Sequence, residues 1–94
     1  ALMDRAADPE IQTGIAAIAR DWHGVRGFHD LKTRTAGSRV FVHLHIELDG
    51  DQPLRDAHDI GAGLRRAILA AYPQTDVIIH KDVYHGPGQV LPGS

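Results

Sequence analysis

The sequence predicts an α+β domain in the order α–β–β–α–β, with a mixed three-stranded sheet and two helices on one face. Three observations predict it. Apolar residues recur at helical spacing after Pro9 and again after Pro53. Between those segments, residues 39–49 alternate strictly: Val40, Val42, Leu44, Ile46 and Leu48 on one side, Arg39, Phe41, His43, His45 and Glu47 on the other. A last short run, residues 77–82, follows the second helical segment and reads as a strand.

In chain order, residues 1–7 carry no strong pattern. Asp8–Pro9 is a helix start, with Asp as cap and Pro at the first helical position. Ile11, Ile15 and Ile18 then mark one face, and the helix is expected to stop near His23–Gly24. Residues 28–35 read as a strand, residues 36–38 as its turn and residues 39–49 as the returning strand of a hairpin. Residues 49–53 break the strand and open a second helix with Pro53 near its start. Its inward stripe is Leu54, Ala57, Gly61, Leu64, Ile68 and Ala71, with Gly61 and Gly63 allowing another backbone to approach. Tyr72–Pro73 ends it. In the final strand Ile78, His80 and Asp82 share one face, and Val77, Ile79 and Lys81 the other. A strand–helix–strand unit makes the last two strands parallel, while the hairpin is antiparallel. Residues 1–85 are expected to form the domain and residues 86–94, rich in Gly and Pro, a flexible tail.

Composition limits what such a domain does. A chain of 94 residues is near the small end for one domain and gains from a metal or a partner subunit. Hydrophobic residues make up 43% with few aromatics, so the core is aliphatic. The net charge of −2 comes with scattered basic residues, which excludes the basic stripe that nucleic acid requires. No apolar run reaches the roughly 18 residues a membrane helix needs, and no signal-peptide pattern opens the sequence. Absence of cysteine excludes disulfides, thiolate zinc sites and cysteine catalysis, and fits a reducing compartment.

Seven histidines are the anomaly. Histidine is the commonest metal ligand among side chains. The sheet face away from the helices is predicted to carry His43, His45, His80 and Asp82 uncovered. His29 opens the first strand, and His58 lies in the first half of the second helix, near enough to a strand edge to reach the same corner. Four imidazoles and one carboxylate (His29, His45, His58, His80 and Asp82) suit one or two borderline ions such as Zn2+, or Fe2+ or Mn2+. His43 shares that face as either a neighbour or a plain surface residue, and His23 and His85 read as solvated.

Residues 24–34, Gly-Val-Arg-Gly-Phe-His-Asp-Leu-Lys-Thr-Arg, resemble the G-V-x-G-x-H-D-L-x-x-R segment that opens the cytoplasmic domain of cation diffusion facilitator transporters. The His-x-Glu of residues 45–47, Ala57–His58, and the P-x-x-D-V-x-I-H-x-D block at residues 73–82 also match. Residues 2–4 are similar to the segment after the last membrane helix, and the likeness is greatest to the bacterial branch exporting zinc and ferrous iron. The resemblance implies a metallochaperone-like (truncated ferredoxin-like) homodimeric domain at the cytoplasmic face of the inner membrane. Its partner is the membrane domain of the same transporter. It also implies a metal site, often binuclear, whose ligand positions fall on His29, His45, His58, His80 and Asp82, with Asp82 bridging. Lys81 departs from the neutral amide common between the last two ligands. A stand-alone metal carrier or buffer is the alternative. An enzyme is not expected, because no phosphate-cradling loop and no positioned base beyond Glu47 accompany the donors.

Overall fold

The computed structural model describes the backbone of Arg5–Ala6 and residues 8–86. Residues 2–4 and nearly all of the expected tail lie outside the described residues. The elements are β1 (Arg5–Ala6), α1 (Pro9–Asp21), β2 (Gly27–Ala36), β3 (Arg39–Leu48), α2 (Leu54–Ala71) and β4 (Thr75–Val83). The sheet order is β1-β2-β3-β4. Pairing is antiparallel between β1 and β2 and between β2 and β3, and parallel between β3 and β4. The predicted mixed sheet of three long strands is present, and β1 adds a two-residue edge strand opposite Arg34 and Thr35. Two residues hold no period, so that strand leaves no trace in the sequence pattern.

Asp8 caps α1, its side chain accepting a hydrogen bond from the Glu10 amide at 2.9 Å. The helix ends at Asp21, slightly before the expected stop, with Trp22 extended and Gly24 at φ +91° turning the chain into β2. Ile15 and Ala19 are fully buried. They join Val40, Val42, Leu44, Ile46 and Leu48 of β3, Leu64 and Ile68 of α2, and Val77 of β4 in one aliphatic core. Every inward position predicted for β3 is therefore in it.

The α2 stripe is narrower than expected. Gly61, Leu64 and Ile68 are buried, but Ala71 is exposed and Leu54 is 82% exposed. Leu54 begins the helix beside the Asp49–Gly50 loop, where it borders an open depression with Leu48, Ala57 and Val83 instead of the core. The α2 glycines admit side chains, not backbone. A Cβ on Gly63 would lie 3.0 Å from the Trp22 ring, and one on Gly61 would lie 3.2 Å from Lys81 Cδ.

One irregularity in β2 decides what faces where. Pairing steps from His29↔His45 to Lys32↔His43, three residues on β2 against two on β3. That is a β-bulge, and Asp30 sits in it at φ 51°. Asp tolerates the left-handed region better than most residues. The extra residue resets the alternation, so Phe28 and Leu31 both pack against the core although their spacing is odd. His29 and Lys32 then lie on the opposite face.

Candidate metal centre

The register gathers the donors into rows. His29 of β2 pairs with His45 of β3, which pairs with His80 of β4. The next row is Gly27, Glu47 and Asp82. Both rows project from the face without helices, because Leu44, Ile46 and Leu48 take the other. The rings stack in sequence, His29 on His45 at 5.0 Å and His45 on His80 at 4.5 Å between centroids.

Three of the predicted ligands converge. His29 Nε2 lies 3.3 Å from Asp82 Oδ2, and His45 Nδ1 lies 2.9 Å from the same oxygen. One ligand atom from each of His29, His45 and Asp82 falls within 4.8 Å of the others. Zinc binds imidazole nitrogen and carboxylate oxygen at about 2.0–2.2 Å, so two ligand atoms on a tetrahedral ion stand roughly 3.3 Å apart. The two separations are near that value, and a three-donor N/N/O set leaves a position for water or a further ligand. The donors fit a borderline divalent cation. These side chains are a quarter to a third exposed (His29 28%, His45 33%, Asp82 31%), so an ion could reach them without opening the core.

Glu47 completes the arrangement. The Nδ1–H of His29 donates to Glu47 Oε2 at 2.8 Å, since a carboxylate can only accept. A neutral imidazole with its proton on Nδ1 keeps the Nε2 lone pair free, and that nitrogen is the one aimed at Asp82. A carboxylate behind a ligating histidine fixes its tautomer and raises its basicity. Gly27 makes the room: a Cβ there would lie 3.1 Å from Glu47 Oε1. The sequence reading placed Glu47 on this face but not against His29, since alternation gives parity and not which residues pair.

The other predicted ligands sit elsewhere. His80 is exposed, flat against His45 and outside the three-residue cluster. His58 is exposed on α2 and lines a groove of about 390 Å3 with Arg65, Arg66, Ile79 and Lys81. Ile79 and Lys81 are on the helix side of β4, so His58 is separated from the cluster by that edge strand. No helix among the described residues is long and apolar enough to cross a membrane.

A small α+β sandwich with imidazoles and a carboxylate on its bare sheet face defines a metal-binding module. Residues 7–84 match the family described as cation efflux protein, cytoplasmic domain, and the chain belongs to that family. The cation-efflux pump FieF of Klebsiella pneumoniae is 41% identical over 93 residues, covering 99% of this chain and 30% of the pump. FieF of Cronobacter sakazakii is 43% identical over 91 residues, covering 97% of this chain and 29% of that protein. The chain thus spans less than a third of the length of these relatives. Among solved structures, the zinc form of CzrB superposes with a TM-score of 0.79 at 32% identity, over 93% of this chain and 100% of that one. The metal-bound C-terminal domain of the CzcD transporter from Thermotoga maritima gives 0.76 at 25% identity, over 83% of this chain and 92% of that one.

Proposed function

We propose that this chain is the regulatory portion of a divalent-cation efflux transporter, binding Zn2+ or Fe2+ on its open sheet face and pairing with a second copy. The convergence of His29 Nε2, His45 Nδ1 and Asp82 Oδ2 carries the reading. Relatives that are efflux pumps and neighbours solved in zinc and metal-bound forms support it. Its role is binding, not catalysis, and its physical partner is the membrane domain of the same polypeptide at the cytoplasmic face of the inner membrane. His80, against the His45 ring, is the nearest further donor, and His58 supplies one at the outer edge of β4.

Glu47 and Asp82 place two carboxylates side by side across β3 and β4, the first against His29 and the second against His45. A divalent ion neutralises that charge and draws β2, β3 and β4 to one point. The same face bears exposed Ile78, a surface for a second copy to cover. If metal binds the closed dimer better by about 1.4 kcal/mol, the closed population rises about tenfold, which is enough to bias an attached membrane domain.

Titration calorimetry with zinc tests this directly. Asp82→Ala is expected to weaken the tight binding by about 100-fold or more, because it removes the oxygen both imidazoles face. Unchanged zinc affinity in that variant would sink the proposal.

A further inference from the structure

The outer edge of β4 carries an unbalanced charge. Arg65 and Arg66 of α2 and Lys81 of β4 line one groove of about 390 Å3, floored by Gly61 and Ile79, and no carboxylate among the described residues lines it. All three basic side chains are exposed. Arg65 makes one bond, its Nε donating to the Val77 carbonyl oxygen at 3.2 Å. Among the described residues, the Arg66 and Lys81 side chains have no hydrogen-bond or ion-pair partner. Gly61 lets Lys81 lie there, since a Cβ on it would stand 3.2 Å from Lys81 Cδ and 3.8 Å from Nζ. In a chain of net charge −2, three uncompensated cations in one groove are a local reversal of sign.

The groove runs along an open strand edge. β4 is the last strand of the sheet and pairs with β3 alone. The Val40 amide donates to the Gln74 carbonyl and the Tyr84 amide to that of Leu48, so even-numbered backbone groups here turn towards β3. Those of Val77, Ile79 and Lys81 therefore turn outwards. Arg65 takes the Val77 carbonyl, and no group among the described residues accepts from the Ile79 or Lys81 amide. From His58 to Arg66 the groove follows α2 for about two turns, roughly 12 Å, which is the span of three to four extended residues.

We propose that this groove docks an acidic, extended peptide segment, which pairs with the outer edge of β4 and sets carboxylates on Arg65, Arg66 and Lys81. Strand addition supplies main-chain hydrogen bonds at Ile79 and Lys81, and an acidic residue at every second position turns towards the cations. The planar fork of arginine meets both oxygens of a carboxylate. None of His29, His45 and Asp82 takes part, so the groove acts whether or not the open face binds metal.

The test is fluorescence polarisation in metal-free buffer with a labelled peptide of alternating glutamate and valine, about eight residues long. It is run on the chain and on Arg66→Glu, Arg66→Ala and Arg20→Glu; both arginines are exposed, so these variants are expected to keep the parent melting curve. The parent should bind the peptide, with affinity falling about tenfold between roughly 50 and 300 mM salt. Arg66→Glu should weaken binding by about tenfold or more, and Arg20→Glu, on α1, should not. In the complex, hydrogen exchange at the Ile79 and Lys81 amides should slow by about tenfold or more. No binding in the parent overturns the proposal, as does equal binding by Arg66→Glu. Binding without protection of those two amides overturns the strand pairing. Binding of pyrophosphate but not of the peptide would make the groove a small-anion site and overturn the proposal too. If the parent ignores the peptide and Arg66→Ala self-associates, the cations only guard an open edge against other strands, and the proposal fails.

Discussion

The two faces of β3 are built from one ten-residue strand and do opposite things. Towards the helices, Val40, Val42, Leu44, Ile46 and Leu48 are at most 5% exposed. Away from them, His43, His45 and Glu47 are polar, half-buried or exposed, and turned towards donors on β2 and β4. Successive side chains along this strand thus alternate between filling the core and facing the cluster of imidazoles and carboxylates on the open face. The difference teaches that stability and chemistry are separable here at a spacing of one residue. Changes on one face should scarcely register on the other.

The largest effect that would break this separation is in the core. Leu44 is fully buried in the aliphatic core to which both helices and the sheet contribute. Leu44→Ala is expected to lower unfolding free energy by about 2–5 kcal/mol in urea denaturation. The neighbouring His43→Ala should change it by no more than about 0.5 kcal/mol in metal-free buffer. Comparable losses in both variants would mean the open face carries structural load, and the two-face picture would fail.

The next effect sharpens what the open face does. Glu47→Gln leaves a carbonyl oxygen to accept from His29 Nδ1–H but removes the charge behind the imidazole. Zinc affinity is expected to fall by about 10-fold, and by up to about 100-fold for Glu47→Ala, with metal-free stability nearly unchanged. A Glu47→Ala chain with parent affinity would show that His29 needs no orienting carboxylate.

How much of this was legible beforehand depends on which symmetry carried it. Alternation along β3 is local, so both of its faces could be read from spacing alone, and the helix stripes likewise. Pairing is not local. That His29 lies beside His45, and Glu47 within reach of His29, depends on register, which a strand's own pattern does not determine. The family resemblance supplied His29, His45 and Asp82 together, and the structure brings those three into one cluster. It implied His58 and His80 too, but the cluster holds neither, since α2 puts His58 behind β4 and His80 lies flat on His45. The overhang of Leu54 was hidden because helical spacing cannot tell where the layer beneath a helix ends.

The bulge in β2 is the feature that joins the two faces. Without an extra residue, Phe28 and Leu31 could not both point inwards, and placing Leu31 in the core would turn His29 away from the donors. Their odd spacing was a signal in the sequence, visible only once β2 is known to be continuous from Gly27 to Ala36. Asp30 holds the bulge at φ 51°, a conformation that disfavours β-branched residues. Asp30→Val is expected to destabilise the metal-free chain by about 1–2 kcal/mol, whereas Asp30→Gly should stay within about 0.5 kcal/mol of the parent. Zinc binding separates the two possible responses. If Asp30→Val keeps the bulge under strain, affinity survives with lowered stability. If the strand instead slips by one residue, His29 and Phe28 exchange faces, His29 leaves Asp82 and zinc binding at the cluster is lost. Loss of affinity out of proportion to stability would therefore show that the bulge sets the metal site first and the core second.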